Sequence, residues 1–220
     1  RGRWIQDRAL PNPELEVSAA ELSQGLRGGS TVGDDSIALS QELDITALGL
    51  SGRFRILREA GPDAVINCAA WTDVDGAETH EREAMAANAQ GPGALAAVCM
   101  EIGAHLVQLS TDYVFDGKAG RPYREEDPPH PVNVYGDSKL QAERQALSLV
   151  RRVLVVRVSG LFGWARPNFV RNCLESLRSK KPVRAVTDQI NCPSYTLDVA
   201  EGFQKLIERF ERSHSAALKG

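Results

Sequence analysis

The sequence predicts an α/β fold: a Rossmann-like, doubly wound parallel sheet with helices on both faces, truncated or altered at both ends. Two patterns carry that expectation. The apolar runs DAVINCAA (63–70), HLVQLS (105–110) and RRVLVVRVSG (151–160) are nearly continuous rather than alternating, as strands covered on both faces are. Stretches with helical spacing lie between them, and such alternation specifies a parallel sheet with right-handed crossovers.

The elements follow in order. IALSQELDI (37–45) reads as a strand ending in an acidic turn. LGLSGRFRILREAG, with Leu48, Phe54, Ile56 and Leu57 among charged neighbours, suits a short crossover helix. The break Gly61-Pro62 precedes the strand at 63–70. ETHEREAMAANAQ and PGALAAVCMEIG are expected as two helices separated by Gly91-Pro92-Gly93, the second leading into HLVQLS. A proline-rich connection, DPPHPVNVY, then opens the next helix, and 151–160 gives a further strand. NFVRNCLESLRS and YTLDVAEGFQKLIERFE complete the alternation as helices.

Residues 1–36 form an atypical segment ahead of a core at 37–164 and a remnant of a second lobe at 165–220. A dinucleotide fold opens with a strand running into a glycine fingerprint that lets backbone approach a pyrophosphate. Here Gly25, Gly28, Gly29 and Gly33 follow the helix-like AAELSQGL instead of preceding a helix. A glycine cap and loop accounts for them better than a phosphate cradle.

Composition sets the outer bounds. With 220 residues, 42% hydrophobic and 25% charged, the chain has the make-up of an ordinary soluble globular protein. A net charge of -3 provides no basic excess for nucleic acid, and no apolar run approaches the roughly 20 residues of a membrane span. Cys68, Cys99, Cys173 and Cys192 form no C-x-x-C, and the four histidines share no ligand spacing, so no metal site is expected. The cysteine usage points to a reducing compartment, cytoplasmic or organellar. Arg1 in first position suggests a processed or truncated chain without a secretory signal.

The residues that carry chemistry are Tyr135 and Lys139. Their i, i+4 spacing places both on one helix face. An ammonium beside a phenol stabilises the phenolate and brings it below its ordinary pKa of about 10, which suits the acid/base of an alcohol/ketone hydride transfer. Ser110 and Thr111 fall at the C-terminal end of HLVQLS, the edge at which open α/β sheets bind ligands. Thr111 has a second reading as a helix or turn cap.

With these segments in view, the chain resembles the dTDP-4-dehydrorhamnose reductase family of extended short-chain dehydrogenases/reductases. The likeness runs from about Leu43 to Ala200 and rests on LDIT, PDAVINCAAWTDVDGAE, NAQGPGALA, STDYVFDG, PYREEDPPHPVNVYGDSK and DQINCPSYTLDVA, in that order. The resemblance implies reduction of the 4-keto group of a nucleotide-linked deoxysugar with NADPH or NADH. It gives Thr111 the keto oxygen, Tyr135 the proton, and Lys139 both the lowering of the tyrosine's pKa and the nicotinamide ribose. It sets Asp44 and Ile45 by the adenine, Ala69 and Ala70 by the ribose and pyrophosphate, and Tyr113 facing the sugar.

Departures from the family pattern bear on activity. The glycine fingerprint is missing, which predicts weak or absent dinucleotide affinity. Gly160 stands where the family usually carries a tryptophan after Arg157-Val158-Ser159, and Asn191 replaces the glycine of Asp-Gln-x-Gly-x-Pro-Thr, a turn that asparagine can keep because it tolerates positive φ. Two functional classes follow: an NAD(P)H-dependent reductase acting on a nucleotide sugar, or a catalytically inactive subunit serving a structural or regulatory role in a protein complex.

Overall fold

Four strands form one open sheet in which neighbours in space are neighbours in sequence. A computed structural model describes residues 36–39, 54–164 and 168–217. Strands β1 (Ser36–Leu39), β2 (Ala64–Asn67), β3 (His105–Thr111) and β4 (Val153–Val158) lie in the order β1-β2-β3-β4. β1 pairs with β2, and β2 with β3, in parallel; the second register runs from Ala64 opposite His105 to Asn67 opposite Gln108. Leu106 donates its N–H to the Arg152 carbonyl at 2.8 Å just ahead of β4. This is the parallel, Rossmann-like α/β sheet that the sequence predicts.

Parallel neighbours need long crossovers, and the apolar faces of these crossovers make the core. Helix α1 (Arg55–Ala60) links β1 to β2. Between β2 and β3 come α2 (Val74–Ala77), α3 (Glu81–Met85), a π-helical turn (Ala86–Gln90) and α4 (Gly91–Ile102); α5 (Val134–Leu149) links β3 to β4. Phe54, Leu57, Val65, Leu95, Val98, Cys99, Leu106, Ala146 and Val150 share one buried cluster. All four β2 residues are buried, and β3 is buried at six of its seven, which explains their unbroken apolar runs. Cys68 and Cys99 are buried with them, and burial pushes both thiols up to about 12.

The expected break at Gly91-Pro92-Gly93 is not there. The π turn runs directly into α4, and Gly91 itself has helical angles, φ -60 and ψ -54. Proline lacks an N–H and crowds the carbonyl four residues back in an α-helix, but Pro92 follows directly on the π turn, whose hydrogen bonds reach one residue further. The wider π turn ahead of it absorbs the irregularity.

The described residues fall into two compact units dividing between Arg157 and Val158. The second carries α6 (Phe169–Arg178) and α7 (Thr196–Ala217). Within it, the strip around Asn191–Tyr195 lies along residues 159–162. Ser194 donates to the Ser159 carbonyl, Phe162 to that of Ser194, and Thr196 to that of Phe162, each at 3.0 Å. Gly160 has φ +50, a conformation that disfavours any Cβ, so a tryptophan would be strained on this backbone. Among the described residues only Lys180 is a non-glycine with positive φ. The turn therefore does not rest on Asn191 adopting that conformation, contrary to expectation. No described helix is long and apolar enough to cross a membrane.

Leu95 is 1% exposed in the centre of the cluster. Leu95→Ala is expected to lower unfolding free energy by about 2–5 kcal/mol, through lost transfer energy and a residual cavity, as read from urea denaturation.

Candidate active site

Helix α5 starts where it does because Asn133 caps it. Its backbone is extended (φ -142), and its side chain accepts the Gly136 N–H at 2.7 Å. Tyr135 and Lys139 then fall one turn apart on α5. Gly136 lets that turn close on the end of β3, since a Cβ there would run into the backbone carbonyl oxygen of Tyr113.

Thr111 ends β3 and caps the 3-10 turn Asp112–Val114. Its Oγ1 accepts the Tyr113 N–H at 3.2 Å and donates to Asp112 Oδ1 at 3.1 Å. Thr111 is also the residue that favours the Tyr135 phenolate against burial, so the turn cap and the site contact belong to one residue. Tyr135 is half-buried, and its ring meets that of Tyr113 edge-on, centroids 5.6 Å apart. Tyr113 is 39% exposed.

Lys139 is 3% exposed, and its Nζ donates to the Leu109 carbonyl at 2.7 Å. The β2 ladder ends opposite Gln108, one residue short of Leu109. Side chains take over from there. Gln108 Nε2 donates to the same Leu109 carbonyl at 3.0 Å, Asn67 Nδ2 donates to Gln108 Oε1 at 2.8 Å, and the Ala69 N–H donates to Asn67 Oδ1 at 3.1 Å. A hydrogen-bonded chain thus joins Lys139 to the buried Ala69 and Ala70 segment beyond β2. Asp44 and Ile45, and the segment expected to lack a glycine fingerprint, lie outside the described residues.

One expectation about this pair is corrected. Tyr135 is pushed up to about 12, not down; burial dominates, Thr111 opposes it, and Asp112 and Tyr113 add to it. The Lys139 ammonium is turned to the Leu109 carbonyl and is not among the groups acting on the phenol. Lys139 is itself pushed down to about 8 by burial, against the opposing pull of Cys68 and Glu143. Spacing put the two residues on one face, but it did not contain their depth.

Several site-building residues have no local sequence signal. Asn88, fully buried in the π turn, accepts the Trp71 N–H at 2.7 Å and donates to the Trp71 carbonyl and to Ser138 Oγ, each at 3.0 Å. Ser138 Oγ in turn donates to the Tyr135 carbonyl at 2.7 Å. Ser110 Oγ donates to Glu143 Oε1 at 2.5 Å, and Arg157 clasps the same carboxylate through Nε at 2.9 Å and Nη2 at 2.6 Å. Among the described residues, no group of three or more His, Cys, Asp or Glu could hold a metal ion.

Gly136→Ala is expected to destabilise the protein by about 1–3 kcal/mol, because the added methyl meets main chain that cannot swing aside; urea denaturation measures the loss.

The RmlD substrate binding domain family model matches residues 21–219. A dTDP-4-dehydrorhamnose reductase of Streptomyces griseus is 45% identical over 144 residues, 65% of this chain and 47% of that protein. The NADP complex of a dTDP-4-dehydrorhamnose reductase from Bacillus anthracis superposes with a TM-score of 0.71 at 36% identity, covering 76% of this chain and 59% of that one. The dTDP-4-dehydrorhamnose reductase orthologue of Clostridium acetobutylicum gives a TM-score of 0.76 at 31% identity, covering 91% and 69%. The chain spans about half the length of the curated relatives it matches. On these matches, which embrace the sheet and the Thr111, Tyr135 and Lys139 cluster, the chain belongs to the RmlD family of dTDP-4-dehydrorhamnose reductase-like proteins.

Proposed function

We propose that this chain carries the reductase site of an NAD(P)H-dependent enzyme that reduces the 4-keto group of a nucleotide-linked deoxysugar. The observation that supports this best is the meeting of Thr111, Tyr135 and Lys139 at the carboxyl edge of β3, where residues from a strand end and a crossover helix face one another. The names of the relatives support the substrate class, and the Bacillus anthracis complex supports the cofactor.

The residues present fit the nicotinamide-ribose half of such a cofactor. Lys139 offers a buried ammonium, and the hydrogen-bonded chain through Gln108 and Asn67 links it to the segment of short side chains, Ala69 and Ala70, beyond β2. Bound there, NADPH or NADH would supply the hydride. Thr111 orients the keto oxygen through its hydroxyl. Tyr135, held protonated by burial, donates its proton to the oxygen as charge develops on it. Lys139 anchors the ribose hydroxyls and, drawn from the Leu109 carbonyl toward the ligand, offsets the phenolate's charge. Tyr113 packs against the sugar beside Tyr135.

Tyr135→Phe is expected to lower kcat about 10²–10⁴-fold while leaving the dissociation constant for NADPH nearly unchanged, because the hydroxyl acts on the proton. Lys139→Ala should impair both. Equal, small effects would remove both residues from catalysis. Isothermal titration separates the functional classes: micromolar or tighter binding of NADPH or NADH supports the reductase and reveals a phosphate site in the N-terminal segment, whereas no binding supports the subunit.

The pH dependence has a definite sign. Lys139 is charged below about 8 and neutral above it, so nicotinamide dinucleotide affinity should fall as pH rises through that value. Lys139→Met should flatten the profile. Tyr135, at about 12, remains a proton donor throughout the range.

A further inference from the structure

Three consecutive residues at the end of β3 each engage a different residue on one face of α5. The Leu109 carbonyl takes Lys139, the Ser110 hydroxyl takes Glu143, and Thr111 acts on the Tyr135 phenol. On the helix these partners stand at i, i+4 and i+8, so the rungs lie along a single stripe. Two of the three belong to the proposed chemistry. The third, Glu143, touches neither the substrate edge nor Thr111.

Glu143 is nevertheless deeply built in. It is 1% exposed, and both its oxygens are engaged: Oε1 by Ser110 and Arg157 Nε, Oε2 by Arg157 Nη2. Arg157, at the end of β4, lies with its guanidinium 4.9 Å from the centroid of Phe115, whose ring stacks on Tyr123 at 4.2 Å. The carboxylate thus ties α5 to β3, to β4 and, through Arg157, to the loop that follows Thr111. A buried ion pair of this kind contributes little net stability against an apolar replacement, so its presence under a site calls for another account.

We propose that Glu143 is a positioning residue of the reductase site: anchored by Ser110 and Arg157, it sets the register of α5 against β3 and presents a negative charge one helical turn behind Lys139, so that the lysine enters the site as an ammonium. The proposal rests on the reductase reading for its kinetic consequences but not for its electrostatic one. The groups that face Lys139 are the Leu109 carbonyl from β3, the Cys68 thiol from beyond β2 and Glu143 from its own helix, and Glu143 faces Arg157 from β4. Cys68 and Glu143 are the two groups that favour the Lys139 ammonium against desolvation, and Glu143 is the one anchored by Ser110 and Arg157.

The test uses three variants and two readouts. In the full chain without added cofactor, lysine side-chain NMR follows the titration of Lys139, its resonance assigned by its loss in Lys139→Arg. Wild type should titrate near 8. Glu143→Gln, which keeps the shape and one acceptor, should titrate lower by about half a unit or more. Ser110→Ala, which breaks the rung but keeps the charge, should leave the titration in place. In turnover, Glu143→Gln should lower kcat by about tenfold or more and shift the alkaline fall of cofactor affinity to lower pH, whereas Ser110→Ala should lower kcat without that shift. Unmoved titration in Glu143→Gln, with a melting curve showing the variant folded, overturns the proposal whether or not the protein is active. A shifted titration in a protein that neither binds dinucleotide nor turns over upholds the charge coupling and overturns the reductase reading instead.

Discussion

The site depends on a strand that outruns its neighbour. β2 stops opposite Gln108, and β3 continues to Thr111, so the last residues of β3 carry backbone polar groups beyond the β2 ladder. Buried polar groups of this kind require partners. For the Leu109 carbonyl they are Lys139 of α5 and the Gln108 side chain, while Ser110 meets Glu143 through its hydroxyl, so an amine, a carboxylate and a phenol of α5 gather at one strand end. The absence of a Cβ at Gly136 is what permits the approach to Tyr113.

Depth, more than pairwise attraction, governs the charges. Burial pushes Lys139 down and Tyr135 up, so each is moved toward its neutral form. Among the described residues, Glu143 and Arg157 are where two opposite charges meet directly at depth, and the pairing raises the arginine above its ordinary value. The arrangement keeps a proton on the phenol, which is what the proposed reductase chemistry asks of Tyr135.

How much of this was legible in the sequence depends on how local each cause is. β2 and β3 were visible because strands buried on both faces read as unbroken apolar runs, and β4 shows the same kind of run although its residues are only partly buried. Tyr135, Lys139 and Thr111 were visible because one spacing and one strand end place them. The continuous helix through Gly91-Pro92-Gly93 was not, since glycine and proline usually punctuate and nothing local announces a π turn. Glu143 stood in plain view four residues beyond Lys139, but its meaning lies in Ser110, 33 residues away, and in Arg157, 14 away. The direction of the Tyr135 shift was misread for a related reason. Spacing tells which face a side chain occupies, not how deep that face lies or where the ammonium points. At Gly160 the sequence shows a departure from the family's tryptophan, and the positive φ supplies a backbone reason for it.

The π turn at Ala86–Gln90 makes the length of this helical run a constraint of its own. Such a turn holds one more residue than an α turn. Removing any one residue of the five would let the run relax into regular α-helix, its flanks keeping nearly the same relation but without the widened turn that carries Asn88. Asn88 would swing away from Trp71 and Ser138, and the carbonyl of Tyr135 would lose the support of its neighbour's clamp. Exposed positions along α3 can vary in character with little consequence, but the number of residues between Glu81 and Ile102 cannot. Descendants of this chain should therefore accumulate substitutions on that surface far more readily than gaps.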